Sequence, residues 1–210
     1  MSEAAPARPR RVTRRRAETR QRLLDAALHV FAEEGFGRAS VEEVCERAGY
    51  TRGAFYSNFG SLDELFLAMW EQRSTAMLGA LAAALDATPG EALVSLEDGI
   101  DQLLALLPLD DHWQRVESEF TAHALRVPSL RAAMAAREAQ IAAALLPFID
   151  RAVARVGRRV VDREAFAAAL VAVHDGTAIQ CLIEPDDPAV RSRRRELFLA
   201  VVRAYTIAEA

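Results

Sequence analysis

The sequence predicts an all-α protein, with a small three-helix head at the N-terminus and a larger helical region behind it. Three observations lead there. Of the 210 residues, 51% are apolar but only 7% aromatic, and alanine runs recur, a composition suited to helix packed on helix. Apolar residues return at helical spacing in one segment after another, divided by glycines and prolines, and no alternating strand pattern survives. Between Arg38 and Phe66 the chain also compresses a capped helix, a glycine turn, a second short helix and a restart into fewer than thirty residues.

The head can be justified element by element. Leu24, Ala27, Leu28 and Phe31 give the first helix an apolar stripe, and Gly35 ends it. Ser40 with Glu43 forms a capping box, which satisfies free backbone N–H groups at the next helix start. Val41, Val44, Cys45 and Ala48 then mark one apolar face, and Gly49 supplies the positive φ that stops this helix at once. Thr51 is the expected N-cap of the third helix, whose polar or small positions are Arg52, Ala54, Ser57 and Asn58. Phe55 and Phe59, four apart, are expected to pack inward, and Gly60 closes the segment. Two short helices joined by a tight turn expose one of them as a probe for the DNA major groove.

Ser61 and Glu64 predict a second capping box, opening a longer helix to about residue 87 that ends at Pro89-Gly90. Further helices are expected from about Glu91 to Leu107, from Asp110 to Val127-Pro128, and from Ser129 to Gly157 with a kink at Pro147. The last two run from Asp162 to Ile183 and from Pro188 to the end, with Pro185–Pro188 as their connection. Phe166, Leu170, Val173 and Thr177 form a stripe on one of these, and Leu197, Val201, Ala204, Tyr205 and Ala208 on the other. Periodicity leaves two readings of those stripes open, packing within the chain or packing against a second copy.

Charge is unevenly distributed. The chain carries a net −4 overall, but residues 1–60 hold eleven arginines against eight acids, and residues 1–22 hold eight against two. Positive charge therefore gathers beside the reading head, as an electrostatic footprint on DNA requires. The segment 1–16, with Arg8, Arg10, Arg11, Arg14, Arg15, Arg16, Pro6 and Pro9, is expected to be a disordered arm. It has two open roles, entry into a minor groove or loose phosphate affinity. All 26 basic residues are arginine, so every phosphate contact by a charged donor is made by a guanidinium. No stretch of eighteen uncharged apolar residues and no secretory signal is found, and the two cysteines are far apart, which predicts a cytoplasmic protein with reduced thiols.

Over residues 17 to 70 the chain resembles the DNA-binding head of the TetR/AcrR family of bacterial transcriptional regulators. The resemblance is carried by Gly35, Ser40-Val41, Val44, Ala48-Gly49, Thr51, Gly53, Phe55-Tyr56, Asn58-Phe59, Ser61 and Leu65. It implies a DNA-binding domain over 17–60 and an effector-binding and dimerisation domain over 61–210, pairing through the last two helices. Ser40, Thr51, Tyr56 and Asn58 fall at family positions that touch phosphates, and Gly53 belongs to the same interface. Arg52 is the expected reader of a guanine edge, and Ala54 and Ser57 lie against base edges or a thymine methyl. Two departures stand out. Asn58 replaces the family's usual histidine but keeps an amide that can donate to a phosphate, whereas Leu62 replaces a phosphate-binding lysine and has no donor.

The resemblance further implies a small-molecule cavity among the middle helices and a repressor released from a palindromic operator by its effector. Met77, Leu103, Trp113, Phe120, His123 and His174 are the expected lining, and their apolar surroundings predict a hydrophobic or amphipathic effector. Such a switch needs a preference of about 5.5 kcal/mol for one state. No cofactor is expected. The rival readings are a metal-binding sensor or enzyme using Glu119 and His123, which share a helical face at i, i+4, and an architectural DNA binder without an effector. No HExxH pattern, nucleophile elbow, phosphate loop or dinucleotide fingerprint supports catalysis.

Overall fold

A computed structural model describes residues 14–87, 95–107 and 109–209. Among the described residues the chain forms nine helices and one short two-stranded ribbon, in two compact units divided after Met69.

The first unit holds α1 (Arg14–Glu34), α2 (Val41–Ala48), α3 (Arg52–Tyr56) and the opening turns of α4 (Leu62–Ala87). Its core is aromatic and almost fully dry: Leu23, Ala27, Phe31, Val44, Phe55, Phe59, Leu65 and Phe66 are each buried. Phe31 meets Phe36 edge-on at 5.0 Å, and Phe55 lies 5.8 Å from Phe59. The Arg20 guanidinium sits 4.4 Å over the Phe59 ring and so closes the cluster with a cation on an aromatic face.

Local chemistry sets the turns. Ser40 and Glu43 form the expected capping box, with the Ser40 N–H donating to the Glu43 carboxylate at 2.8 Å. Gly49 takes φ of 72°, and the Tyr50 N–H reaches back to the Cys45 carbonyl at 2.9 Å, the bond that closes a helix end over a left-handed residue. Thr51 caps α3 by accepting from the Ala54 N–H at 3.2 Å. The second capping box is only half formed. Ser61 accepts from the Glu64 N–H at 3.1 Å, but the Glu64 carboxylate takes the Gly60 N–H at 2.7 Å, one residue upstream of the expected partner. Arg14, Arg15 and Arg16, expected in the arm, form the first turn of α1, while Arg8, Arg10 and Arg11 lie outside the described residues.

The second unit comprises the rest of α4, then α5 (Leu96–Leu106), α6 (Asp111–Ala124), α7 (Pro128–Arg155), α8 (Arg163–Ile183) and α9 (Pro188–Tyr205). Ser95 caps α5, five residues later than the expected start, and residues 91–94 lie outside the described set. α7 continues through Pro147, whose missing N–H leaves one carbonyl of the preceding turn without its helical partner. α8 packs against α7 and α9, and α5 against α9. The core between them is made of Ile100, Ile149, Val153, Phe166, Leu170, Phe198, Leu199 and Val202, with Tyr205 stacked on Phe166 at 5.7 Å.

Two expectations are corrected here. The chain does contain strand: β1 (Arg158–Val160) pairs antiparallel with β2 (Thr206–Ala208), Arg158 opposite Ala208 and Val160 opposite Thr206. The ribbon ends α9 at Tyr205, so Ala208 is a strand residue rather than part of a helical stripe. Three-residue strands are too short to leave a pattern of alternation, which is why periodicity missed them. Gly157 at φ 66° turns the chain into β1, and Arg158 donates to both the hydroxyl and the carbonyl of Thr206 at 2.7 Å. On α8, Phe166, Leu170 and Thr177 are buried within the chain, one of the two packings that periodicity left open for that stripe.

By length and composition, α7 and α8 are each long and apolar enough to cross a bilayer. Each nevertheless carries charge in mid-helix, Arg137 and Glu138 in α7 and Asp175 in α8, and α8 contributes Phe166, Ala167 and Leu170 to the core.

One buried cation ties α8 to α9. Arg194, 4% exposed, donates to Thr177 Oγ1 at 2.7 Å and to the His174 carbonyl at 3.2 Å, sits 2.9 Å from His174 Nδ1, and lies over the Phe198 ring. Burial lowers its pKa, the direction expected when a cation leaves water. Replacing it strands those acceptors in a low-dielectric interior. Arg194→Ala is expected to cost about 2–4 kcal/mol in urea unfolding followed by circular dichroism. A change below about 0.5 kcal/mol would mean that the network carries no stability.

Candidate functional site

Two separate features hold the expected functional residues, a groove on the first unit and a cavity in the second. The groove has a volume of about 690 Å³ and is lined by Arg15, Arg16, Thr19, Cys45, Glu46, Gly49, Tyr50, Thr51, Ala54, Ser57 and Asn58. It therefore brings the first turn of α1 beside α3, and Arg16 donates to the Ser57 carbonyl at 3.1 Å. Arg15 and Arg16 are thus wall residues of this groove rather than part of the expected arm.

Thr51, Arg52, Gly53, Tyr56 and Ser57 are exposed, while Ser40, Ala54 and Asn58 are half-buried. Tyr56 keeps 51% of its surface in solvent, unusual for so large a ring beside a dry core. Gly53 has no positive φ, and a Cβ there would meet only Thr51 Oγ1 at 3.7 Å. Nothing inside the chain requires glycine at that position.

Several of these groups already have partners. The Arg52 guanidinium pairs with Glu42 at 2.6 Å and lies 6.0 Å from the centre of the Tyr56 ring. A hydrogen bond to Tyr56, with the nearby Glu42 charge, raises its pKa. The Ser40 hydroxyl donates to Glu43 at 2.7 Å. The Asn58 amide donates to the Ala54 carbonyl at 2.8 Å and to the Ser57 hydroxyl at 3.3 Å, while its buried Oδ1 has no partner. Sequence reasoning treated Asn58 as a donor available to phosphate; the fold engages that donor internally.

The cavity occupies about 1030 Å³, within the range of small-molecule sites, and its wall is mostly apolar. Met77, Leu103, Trp113 and His174 line it. Phe120 and His123 do not: Phe120 is fully buried, and the His123 ring lies 6.1 Å from it. On α6 the wall is the row Trp113, Glu117 and Thr121, with Gln114 and Ser118 beside it, whereas Val116, Phe120 and Ala124 form the helix's buried face. Trp113 stands on the border between the two faces, so a place on the same helix does not bring Phe120 or His123 to the cavity.

The polar groups of the cavity escaped the sequence reading. Glu117 and Asp175 are pushed up to about 7 and about 6, each by burial first and then by neighbouring carboxylates, Glu138 among them. His174 is pushed down to about 4 by burial and the Arg194 charge, so its ring is neutral near pH 7. Arg73 spans Asp110 at 2.8 Å and the Trp113 ring at 5.0 Å. Glu119 and His123, the rival metal ligands, belong to no group of three or more His, Cys, Asp or Glu side chains suited to a metal among the described residues.

Comparison with known proteins joins these features. Residues 23–69 match the family model described as bacterial regulatory proteins, tetR family, and residues 92–206 match that of the BetI-type transcriptional repressor, C-terminal. The transcriptional regulator AcrR of Shigella flexneri is 39% identical over 82 residues, 39% of this chain and 38% of that protein. The chain thus spans well under half the length of that relative. Salmonella enterica GusR superposes with a TM-score of 0.69 at 22% identity, over 88% of this chain and 95% of its own. The multidrug binding protein EbrR complexed with ethidium does so with 0.61 at 32% identity, over 88% and 98%.

Two outcomes follow from this geometry. Glu42→Gln releases Arg52 and removes a negative charge beside the groove, so DNA affinity is expected to rise by up to about fivefold in fluorescence anisotropy; an unchanged affinity would mean that Arg52 already moves freely. For Glu117 the folded pKa lies above the ordinary 4.5, so the folded state holds the extra proton and its advantage is lost as pH rises through about 7. The thermal midpoint of Glu117→Gln relative to the parent is therefore expected to rise between pH 5 and pH 8. A constant offset would place the carboxyl in bulk-like water.

Proposed function

The chain belongs to the TetR/AcrR family of bacterial transcriptional regulators, and on that premise we propose that it represses from a palindromic operator until a small molecule releases it. The carrying observation is the exposed face of α3, where Thr51, Gly53, Tyr56 and Ser57 are solvent-accessible beside the arginines of α1. Arg15 and Arg16 supply charge that positions the head on phosphates, and Arg52, exchanging Glu42 for a base edge, supplies the reading of sequence. Gly53 lets the α3 backbone approach the duplex, a reason for glycine that lies outside the chain. Repression rather than activation is supported by the match to a repressor's C-terminal region.

The effector is an apolar or amphipathic small molecule in the cavity of the second unit. Its volume supports this, as does the relative EbrR, which is described as multidrug binding and holds ethidium. A second copy of the chain pairs through α8 and α9, where Ile179, Ile183 and Leu197 stand 40%, 71% and 40% exposed. A two-fold dimer sets two α3 helices on two half-sites, which is what makes the operator a palindrome. The place of action is the cytoplasm.

Selection from random duplex DNA tests the reading. An inverted repeat preferred at least about a thousandfold over bulk DNA is expected; sequence-blind binding that fades steeply with salt would overturn it. Ile183→Arg combined with Leu197→Arg is expected to give a monomer in sedimentation that has lost the inverted repeat. A double variant that stays dimeric would move the interface elsewhere.

A further inference from the structure

The cavity wall is apolar almost throughout, yet four carboxyls line it: Asp110, Glu117, Glu138 and Asp175. A single arginine, Arg73, lies on the same wall and is committed to Asp110. Glu117, Glu138 and Asp175 make no ion pair with an arginine among the described residues. They come from α6, α7 and α8, so the fold gathers them across three helices. Like charges in an apolar chamber destabilise one another unless something positive joins them.

We propose that the cavity takes a lipophilic organic cation, with its apolar body against the α4, α5 and α7 walls and its positive charge against Glu117, Glu138 and Asp175. This deepens the effector reading above and rests on it.

The chain itself shows how a cation sits in this wall. The half-buried Arg73 guanidinium lies between the Asp110 carboxylate and the face of Trp113, one carboxylate and one aromatic ring sharing a single positive charge. Trp70 and the half-buried Phe148 line the same space. His174 contributes no competing charge. Its Nδ1 faces the Arg194 guanidinium at 2.9 Å, which donates to it, so the ring proton resides on Nε2 as a neutral donor for an acceptor group on the ligand. Arg194 itself is spent on Thr177 and His174 behind the wall.

Binding such a cation is coupled to proton release. The charged groups acting on Glu117 are Arg73 from α4, Glu138 from α7 and Asp175 from α8, with Trp113 of its own helix donating to it. Those acting on Asp175 are Glu138 and Arg194. With carboxyls at about 7 and about 6, a cation binds the deprotonated wall and displaces protons, so its affinity falls as pH drops through that range.

The test is calorimetric titration of the full chain with three probes of similar size: tetraphenylphosphonium, the anion tetraphenylborate, and neutral triphenylphosphine oxide. At pH 8, tetraphenylphosphonium is expected to bind roughly tenfold or more tighter than either of the others, and to lose that preference by pH 5. Glu117→Gln with Asp175→Asn is expected to abolish the preference and its pH dependence while the neutral probe binds as before, with thermal melts confirming the fold. Should the double variant fail to fold, the pH series on the unaltered chain still decides. Equal or tighter binding of the neutral or anionic probe at pH 8 would overturn the cation assignment and leave the effector cavity standing. If no probe binds, both readings fall.

Discussion

A helix of five residues does not persist in water by itself, because nucleation costs more than its few hydrogen bonds return. The first unit contains such a helix, α3, and is organised around holding it. Thr51 fixes its start, Gly49 sets the turn into it, and Phe55 and Phe59 anchor its inner side in an aromatic core with 0% and 1% exposure. Every inward residue of the segment is thus used for support, leaving Arg52, Gly53, Tyr56 and Ser57 free of packing duty and turned to solvent. The Arg52–Glu42 pair adds a restraint on the exposed side, tying α3 to α2.

The second unit meets the opposite demand, since it must keep about 1030 Å³ unfilled. Close packing would normally close such a void, because its lining loses dispersion contacts. Here the load is carried beside the cavity. The α8–α9 contact is pinned by Arg194, its three acceptor atoms and the Phe198 ring beneath it, and separately by Phe166 stacked on Tyr205. The ribbon β1–β2 ties the end of α9 to the connection between α7 and α8, so the last helix cannot swing away from the wall it supports.

Legibility in the sequence followed the range of the interaction. Caps, the positive-φ turn at Gly49 and the inward pair Phe55/Phe59 were readable, because each is settled by residues within about one helical turn. The starts of α3 and α6 and both limits of α8 were readable for the same reason, whereas α3 and α6 stop short of the expected ends, at Tyr56 and Ala124. What failed was one step longer in reach. The Ser61/Glu64 box slipped by one residue because two N–H groups compete for one carboxylate. Phe120 and His123 share a helix with Trp113 but do not line the cavity, because the residues of one helix divide between faces and the sequence does not say which face meets the void. The ribbon was invisible because each strand exists only through its partner, 48 residues away in the Arg158–Thr206 bond.

The sequence by itself determined that this is a helical protein with a helix-turn-helix head, since capping, turn and periodicity signals all act locally and agree with one another. Only the tertiary structure decided what those helices enclose. Pairing Arg52 with Glu42, burying Arg194 against His174 and Thr177, and collecting Glu117, Glu138 and Asp175 around one apolar chamber each join residues from different helices. The physical reason is that a side chain's charge, burial and hydrogen bonds belong to its neighbours in space, and helical periodicity names a face without naming what lies against it.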